Sequence, residues 1–181
     1  MGKALDALDE PLTEWIGRQH VFFVATAPSE GGHVNLSPKG HDSLRVLDPS
    51  TVAYLDLTGS GAETIAHTRQ NGRITVMFCA FEGPPLILRL FGVGAAHRVG
   101  SARFEELAPR FPPIPGARSI ITVAIDRVQT SCGYSIPFLD YREDRPTLRQ
   151  WAERKGDDGL REYWDDKNVE SIDGLPALDR S

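Results

Sequence analysis

Short runs of apolar and β-branched residues, separated by Gly, Pro, Asn, Asp and Ser, fill the first two thirds of the chain. Runs of this kind predict β-strands joined by turns. In the last run, Ile121, Val123 and Ile125 recur at every second position, which is typical of a strand with one buried face. Gly92 and Gly94 interrupt the longest run and favour a bend or bulge there. The pattern predicts six strands, at residues 21–26, 33–36, 51–57, 73–81, 86–99 and 118–128.

Apolar residues at helical spacing occur in the segments that lie before, between and after these strands. Leu8, Leu12 and Ile16 fall on one helical face, and Asp9 can cap a helix that is predicted to run to about Gln19. Further helices are predicted at residues 62–70, 101–110, 145–155 and 160–166. Six strands with short turns and only peripheral helices predict a mainly β fold, a six-stranded antiparallel barrel.

Length and composition narrow the class of protein. The length of 181 residues suits one domain, 1–181, in which 142–181 forms a helical C-terminal appendage. The net charge of -5 and the lack of Lys/Arg runs argue against a nucleic-acid partner. The apolar runs are too short to span a membrane and the N-terminus lacks a signal pattern, so we expect a cytoplasmic protein. Cys79 and Cys132 are expected to be buried free thiols, and no Cys/His cluster indicates a metal site.

The best candidate for ligand binding is the turn Thr58-Gly59-Ser60-Gly61, which follows a predicted strand and opens a predicted helix. Unpaired N–H groups gather at a helix N-terminus, where the helix dipole favours an anion. The hydroxyls of Thr58 and Ser60 add donors, and glycine lets a phosphate approach the backbone. The turn matches neither a dinucleotide-binding fingerprint, because Thr64 replaces the third glycine, nor a P-loop. A plain glycine turn with a hydroxyl cap would contain the same residues.

A second candidate is the segment Ser37-Pro38-Lys39-Gly40. Pro38 has no N–H group and is expected to end the second strand. Lys39 could reach an anionic group, or it could be a solvated loop lysine. Ser37 and Lys39 become informative if this loop lies near Thr58.

The five histidines show no spacing typical of metal ligands. His41-Asp42 could handle a proton, although an exposed loop pair has the same sequence. Since no nucleophile is spaced with a base, no catalytic residue is assigned, and redox chemistry would belong to a bound cofactor.

The order of these motifs resembles the pyridoxamine-5'-phosphate-oxidase-like family of flavin-binding split barrels. The resemblance covers about residues 15–130 and rests on the segments 35–40, 58–64 and 71–73, while 132–137 and 171–176 are similar to a bacterial and fungal branch of that family. It implies a homodimer with flavin mononucleotide (FMN) at the subunit interface, and it implies that Lys39 and Thr58 lie at the phosphate side. The predicted cofactor-binding residues are Ser37, Lys39, Thr58, Gly59, Ser60, Gly61, Glu63 and Thr64.

The chain departs from true pyridoxamine-phosphate oxidases. Val34 stands where those enzymes have an arginine five positions before the matched lysine, and Glu63-Thr64 replaces a basic pair. Their Arg-Leu-x-Pro tail motif is missing. A carboxylate at Glu63 repels a phosphate unless it accepts from a ribityl hydroxyl or pairs with an arginine. Arg45 and Arg69 are candidates to restore positive charge. Oxidation of pyridoxamine phosphate is therefore not expected.

The sequence thus favours an FMN-binding oxidoreductase that acts on an unknown small molecule. One alternative is a non-catalytic flavin- or haem-binding module, which the lack of an evident acid–base group favours. Another is a deazaflavin-dependent reductase of the same fold, against which the net negative charge counts. Trp151, Tyr163 and Trp164 of the appendage are expected to pack on the barrel or to cover the flavin or the partner subunit.

Overall fold

The computed structural model describes residues 2–180 and contains one antiparallel sheet of eight strands. In chain order, the strands are Ala4–Leu5 (β1), Phe22–Thr26 (β2), Asn35–Lys39 (β3), Leu44–Asp48 (β4), Thr51–Leu57 (β5), Arg73–Cys79 (β6), Ile87–Arg98 (β7) and Ala117–Ser131 (β8). Their order across the sheet is β3-β2-β6-β7-β8-β5-β4, and β1 pairs with β8. The mainly β, antiparallel split-barrel class predicted from the sequence is confirmed.

Four helices lie around the sheet: Glu10–Ile16 (α1), Glu63–Gln70 (α2), Ala102–Leu107 (α3) and Thr147–Lys167 (α4), and a 3₁₀ turn follows α3 at Ala108–Arg110. The predicted cap of α1 is present, since the Asp9 carboxylate accepts a hydrogen bond from the Leu12 N–H at 2.9 Å. Ser101 caps α3 in the same way. In contrast, no side chain caps α2 at Ala62.

The main core lies between the inner face of the sheet and helices α1, α2 and α4. Val24, Val76 and Leu90 are fully buried there, as the alternating patterns of their strands require. A second cluster, centred on Phe104 and Ile120, joins α3 to β5 and β8. Two packed layers therefore hold β5 and the turn that follows it from both sides.

The strand prediction needs two corrections, and the cysteine prediction needs one. The sheet has eight strands, because the short segments β1 and β4 were not predicted. The second predicted strand lies at Asn35–Lys39, so Pro38 does not end it; Pro38 pairs with Phe23. A proline is tolerated here because β3 is an edge strand, where one row of backbone groups has no ladder partner. Cys132 is an exposed free thiol, and only Cys79 is buried as expected.

The C-terminal segment packs against the barrel. Within α4, Gly156 has φ 65° and divides the helix into two segments, in agreement with the two short helices predicted. Ala152, Leu160 and Trp164 belong to the same buried cluster as the barrel core. In the part of the chain described, residues 2–180, no helix is long and apolar enough to cross a membrane.

Candidate functional site

A cleft of about 550 Å³ lies where the end of β3 meets the end of β5. The two predicted segments meet here, since Lys39 and the adjacent Pro38 and Gly40 face Thr58 and Gly59 across it. Residues 143–145 and Leu148, at the start of the appendage, supply the third wall. We call this the Lys39 cleft.

The alternation of β3 places its polar side chains on the more buried face of the strand. Asn35, Ser37 and Lys39 are half-buried, whereas the intervening Leu36 and Pro38 are exposed. The inner row therefore presents a lysine at its end, next to β5. Lys39 is held by β2, because its backbone pairs with Phe22.

A buried ion cluster stands behind the Lys39 cleft. The Asp56 carboxylate, only 1% exposed, lies 3.3 Å from Lys39 Nζ and 2.7 Å from Arg118 Nε. Although burial opposes ionisation, the charges of Arg118 and Lys39 more than offset it and hold the pKa of Asp56 below its ordinary value. Two positive charges face one negative charge, so the cluster carries one net positive charge at the edge of the cleft.

Thr58 is a structural anchor in this geometry. Its hydroxyl donates to the Gly116 carbonyl at 2.7 Å and accepts from Trp164 Nε1 at 2.8 Å. The hydroxyl proton is therefore already used within the protein, and the Trp164 bond ties α4 to the turn. To donate a hydrogen bond to a phosphate, as predicted, the Thr58 hydroxyl would have to give up its bond to the Gly116 carbonyl.

Gly59 and Ser60 form the open part of the turn. Both are exposed, and a Cβ atom built on Gly59 would meet no atom within 4 Å. The Gly59 carbonyl accepts from Asn168 Nδ2 at 3.0 Å, which fixes the backbone orientation from the appendage side. A ligand group can therefore approach the backbone at Gly59 without displacing protein atoms.

Gly61 and Glu63 form a closed part. The Glu63 carboxylate folds back into the space that a side chain at residue 61 would fill. It also accepts from the Ile172 N–H at 3.1 Å, and the Gly61 carbonyl accepts from Arg118 at 2.8 Å. The protein's own carboxylate therefore lies where the helix N-terminus was predicted to hold an anion.

Ser37 and Thr64 are brought together by Asn35. Ser37 donates to Asn35 Oδ1 at 2.8 Å, and Asn35 Nδ2 donates to Thr64 Oγ1 at 3.1 Å. The same amide group reaches Thr26, which bonds His67 Nδ1 at 2.9 Å. This chain of polar contacts joins β3 to the first turn of α2.

The arginine predictions are wrong in this structure. Arg45 pairs with Asp42, and Arg69 pairs with Asp179, so neither faces Glu63. The arginine at the turn is Arg118, which sequence reasoning placed only inside a strand. Its contacts with Asp56 span 62 positions, and no local pattern indicates a pairing at that distance.

His41 also has a partner that the sequence did not indicate. Its Nδ1 lies 3.6 Å from Asp144 Oδ2 of the appendage, while the adjacent Asp42 pairs with Arg45. His41 and Asp144 both line the Lys39 cleft. Among residues 2–180, no group of three or more His, Cys, Asp or Glu side chains could hold a metal ion.

Fold and cleft together define an antiparallel split-barrel protein with a cleft of mixed polar and apolar lining where the end of β3 meets the end of β5. The family model of pyridoxamine 5'-phosphate oxidase matches residues 8–132, and this chain belongs to that family. The pyridoxamine 5'-phosphate oxidase family protein ustO of Aspergillus flavus is 43% identical over 96% of this chain and 76% of the relative.

Solved structures support the same fold. HupZ of Group A Streptococcus superposes with a TM-score of 0.51 at 23% identity, over 67% of this chain and 91% of its own. A candidate pyridoxamine 5'-phosphate oxidase from Lactobacillus delbrueckii gives a TM-score of 0.53 at 20% identity, over 68% of this chain and 94% of its own. At these identities the likeness concerns the fold.

Proposed function

We propose that this protein binds FMN in the Lys39 cleft and uses it for the oxidation or reduction of a small molecule. The observation that carries the proposal is the meeting of Lys39 with the open turn at Gly59 across one cleft. These segments are separate in the sequence, and each alone has an ordinary structural explanation. Their juxtaposition in a member of this family favours a shared ligand.

The donors present fit a phosphate group at residues 58–60. The ion cluster of Lys39, Asp56 and Arg118 has one net positive charge, which a phosphate would offset. The exposed Ser60 hydroxyl can donate to a phosphate, and the open backbone at Gly59 lets one approach without rearrangement. The net charge of the chain is -5, so attraction of an anion depends on this local arrangement.

The Glu63 carboxylate sets a limit on where the phosphate lies. Because it covers Gly61, a phosphate at that position would face a negative charge at close range. We therefore infer that the phosphate binds toward Lys39 and Ser60, and that Glu63 faces the neutral ribityl hydroxyls. With the phosphate in that position, Gly61 and Thr64 would contact it more weakly than Lys39 does.

A second copy of the chain is the partner that we propose for the outer face of the sheet. Val34, just before β3, is 75% exposed, and Leu36 on β3 is 63% exposed. Val93 on β7 is 58% exposed. β3 and β7 lie in the same sheet, separated by β2 and β6, and apolar side chains left exposed on one sheet favour an interface. A homodimer that covers them would bury the edge strand β3, whose inner row carries Lys39.

Flavin, when bound, supplies hydride or electron transfer, and the protein supplies binding and orientation. Lys39 and Ser60 would fix the phosphate, and the appendage wall at residues 143–148 would limit access of water to the cleft. The Trp164 and Asn168 bonds to Thr58 and Gly59 hold the appendage against the turn.

The visible spectrum of the purified protein, followed by FMN titration, tests the proposal. A flavin band near ~450 nm, or saturable quenching of FMN fluorescence, is the expected result. A Soret band would instead favour a haem-binding protein. A colourless protein that binds neither FMN nor a deazaflavin would overturn the proposal.

Light scattering on the same sample tests the homodimer. A mass of two chains is expected, and Val93→Asp should give single chains because a buried charge destabilises an apolar interface. The exposed Val99→Asp, just after the end of β7, is the matched control and should leave the dimer intact. A wild-type protein of one chain at micromolar concentration would contradict this part of the proposal.

A further inference from the structure

A second cleft, of about 410 Å³, lies between α1 and the segment 41–46, and we call it the α1 cleft. Ile16, Phe22 and Phe78 form an apolar floor, and each is at most 4% exposed. His20 and His41 lie on its polar rim. A volume of a few hundred cubic ångströms with an apolar floor and a few polar groups is typical of a small-molecule site.

The α1 cleft adjoins the Lys39 cleft at only three residues. His41, Ser43 and Asp144 line both, so the His41–Asp144 pair stands at the boundary between them. A molecule in the α1 cleft and a cofactor held at Lys39 would therefore approach each other beside His41. The Ser43 hydroxyl is already used, since it donates to the Gly40 carbonyl at 2.7 Å.

The backbone of His41 is unusual for a residue with a side chain. Its φ is 60°, and within residues 2–180 no other non-glycine residue has a positive φ. This conformation costs about 1 kcal/mol or more and persists where the surrounding structure enforces it, often at functional positions. Here it places a half-buried imidazole, 16% exposed, at the boundary of two clefts.

Tyr141, just before the appendage, is close enough to Asp144 to be affected by its charge. Desolvation and the neighbouring Asp144 carboxylate raise the pKa of Tyr141. The Tyr141 ring in turn stacks on His20, with centroids 3.6 Å apart and planes at 9°. The Asp144 carboxylate faces His41 Nδ1 at 3.6 Å, slightly longer than a hydrogen bond, and such contacts often tighten only when substrate is bound.

Other charged groups face the pair from every wall of the two clefts: His20, Lys39, Asp42, Arg45, Glu143 and Arg145. Lys39 is compensated by Asp56, Asp42 by Arg45, and Glu143 by Arg142. Asp144 therefore makes the direct carboxylate contact with His41.

We propose that His41 exchanges a proton with a substrate bound in the α1 cleft, and that Asp144 is the positioning residue that orients its ring. This rests on the proposed function, because the flavin supplies or accepts the accompanying hydride. The substrate class is a small molecule with an apolar body and an oxygen- or nitrogen-bound hydrogen. The proton that this O–H or N–H group loses on oxidation, or gains on reduction, is held at His41 Nε2.

Menadione is a suitable probe, because reduction of a quinone to a hydroquinone consumes one hydride and one proton. The FMN-loaded protein is photoreduced and mixed with menadione, and flavin reoxidation is followed between pH 5 and 9. His41→Gln should slow reoxidation by about 100-fold and remove the inflection in the pH profile. Asp144→Asn should slow reoxidation by a smaller factor than His41→Gln, and Asp144→Glu should restore most of the rate, because a carboxylate at this position orients the His41 ring.

His33→Gln is the matched control. His33 also pairs with an aspartate, Asp173 at 2.7 Å, but is 75% exposed and lines neither cleft. Its rate and pH profile should equal those of the wild type. As a measurement independent of activity, menadione added without flavin should shift the ring NMR signals of His41 and leave those of His33 unchanged.

The outcomes separate the two proposals. FMN binding together with a wild-type rate and pH profile in His41→Gln would overturn the role of His41 alone. Failure of FMN to bind would overturn the proposed function and this inference with it. Menadione shifts confined to residues outside the α1 cleft would overturn the substrate site even if FMN binds.

Discussion

The segment from Thr58 to Thr64 has an open half and a closed half. Gly59 and Ser60 are exposed, Gly59 lines the same cleft as Lys39, and the space above Gly59 is free of protein atoms. At Gly61, the Glu63 carboxylate fills the equivalent space, and Arg118 holds the carbonyl. Adjacent residues of one turn therefore differ completely in what they can offer an anion.

The difference shows that a glycine-rich turn before a helix is not a sufficient description of a phosphate site. The N-terminus of α2 has no side-chain cap, yet a carboxylate of its own first turn covers the approach at Gly61. The positive charge that favours an anion comes from β3 and β8 through Lys39 and Arg118. The following predictions test this division, from the largest expected effect to the smallest.

Arg118→Met should have the largest effect, because it removes the buried charge that compensates Asp56. We expect a loss of about 3–5 kcal/mol in the free energy of unfolding, measured by urea denaturation. Arg103→Met is the control, since Arg103 pairs with Glu106 on the exposed surface of α3 and should cost less than about 1 kcal/mol. Equal losses in the two variants would show that the ion cluster is not a main support of the turn.

Thr58→Val and Ser60→Ala should separate the anchor from the open half. Thr58→Val leaves Trp164 Nε1 without its partner and should lower the free energy of unfolding by about 1–3 kcal/mol. Ser60→Ala should leave stability unchanged and weaken FMN binding by about threefold to tenfold, which corresponds to one hydrogen bond. If Thr58→Val weakened FMN binding without loss of stability and Ser60→Ala lowered stability instead, the phosphate contact would belong to Thr58 and the structural contact to Ser60.

Glu63→Gln tests the closed half. Removal of the charge beside a bound phosphate should strengthen FMN binding by a few fold, on the order of 1 kcal/mol or less in partly exposed surroundings. Glu162→Gln, at an exposed position on α4, should change nothing. Tenfold weaker binding in Glu63→Gln would instead show that the carboxylate accepts hydrogen bonds from the cofactor that the amide cannot replace.

The polar chain behind the closed half should give a small dependence of stability on pH. Burial lowers the pKa of His67 below its ordinary value of 6.5, so the folded protein prefers the neutral ring. This contribution is complete above pH 6.5 and declines as the pH falls below that value, because the unfolded chain then binds more protons. Thermal unfolding from about pH 7.5 to about pH 5 should show this decline in the wild type and a smaller one in His67→Gln.

Much of the fold could be predicted because it depends on local patterns. The continuous apolar run of β5, the alternation in β8, the Asp9 cap and the glycine break in α4 are all visible over a few residues. The short strand β4 was not predicted because its residues, Leu44–Asp48, are mostly half-buried and show no regular alternation. The prediction that Pro38 ends a strand was wrong because a sheet tolerates proline in an edge strand, and only the order of strands shows that β3 is one.

The candidate site was predicted in its residue types and less well in its contacts. Lys39 and Gly59 do line one cleft, but the partners of Thr58, Glu63 and His41 come from the appendage or from the loop before β8. Most of these contacts join residues about a hundred positions apart, and a single sequence carries no periodic signal for them.

The most direct test of the Lys39 cleft is the affinity of the wild type and Lys39→Met for FMN and for riboflavin, measured by fluorescence titration. Riboflavin lacks the phosphate and serves as the internal control. We predict that Lys39→Met weakens FMN binding by about 10- to 100-fold, the range for a charge-assisted hydrogen bond, and changes riboflavin binding little. Equal changes for both ligands, or none for FMN, would contradict a phosphate site at Lys39.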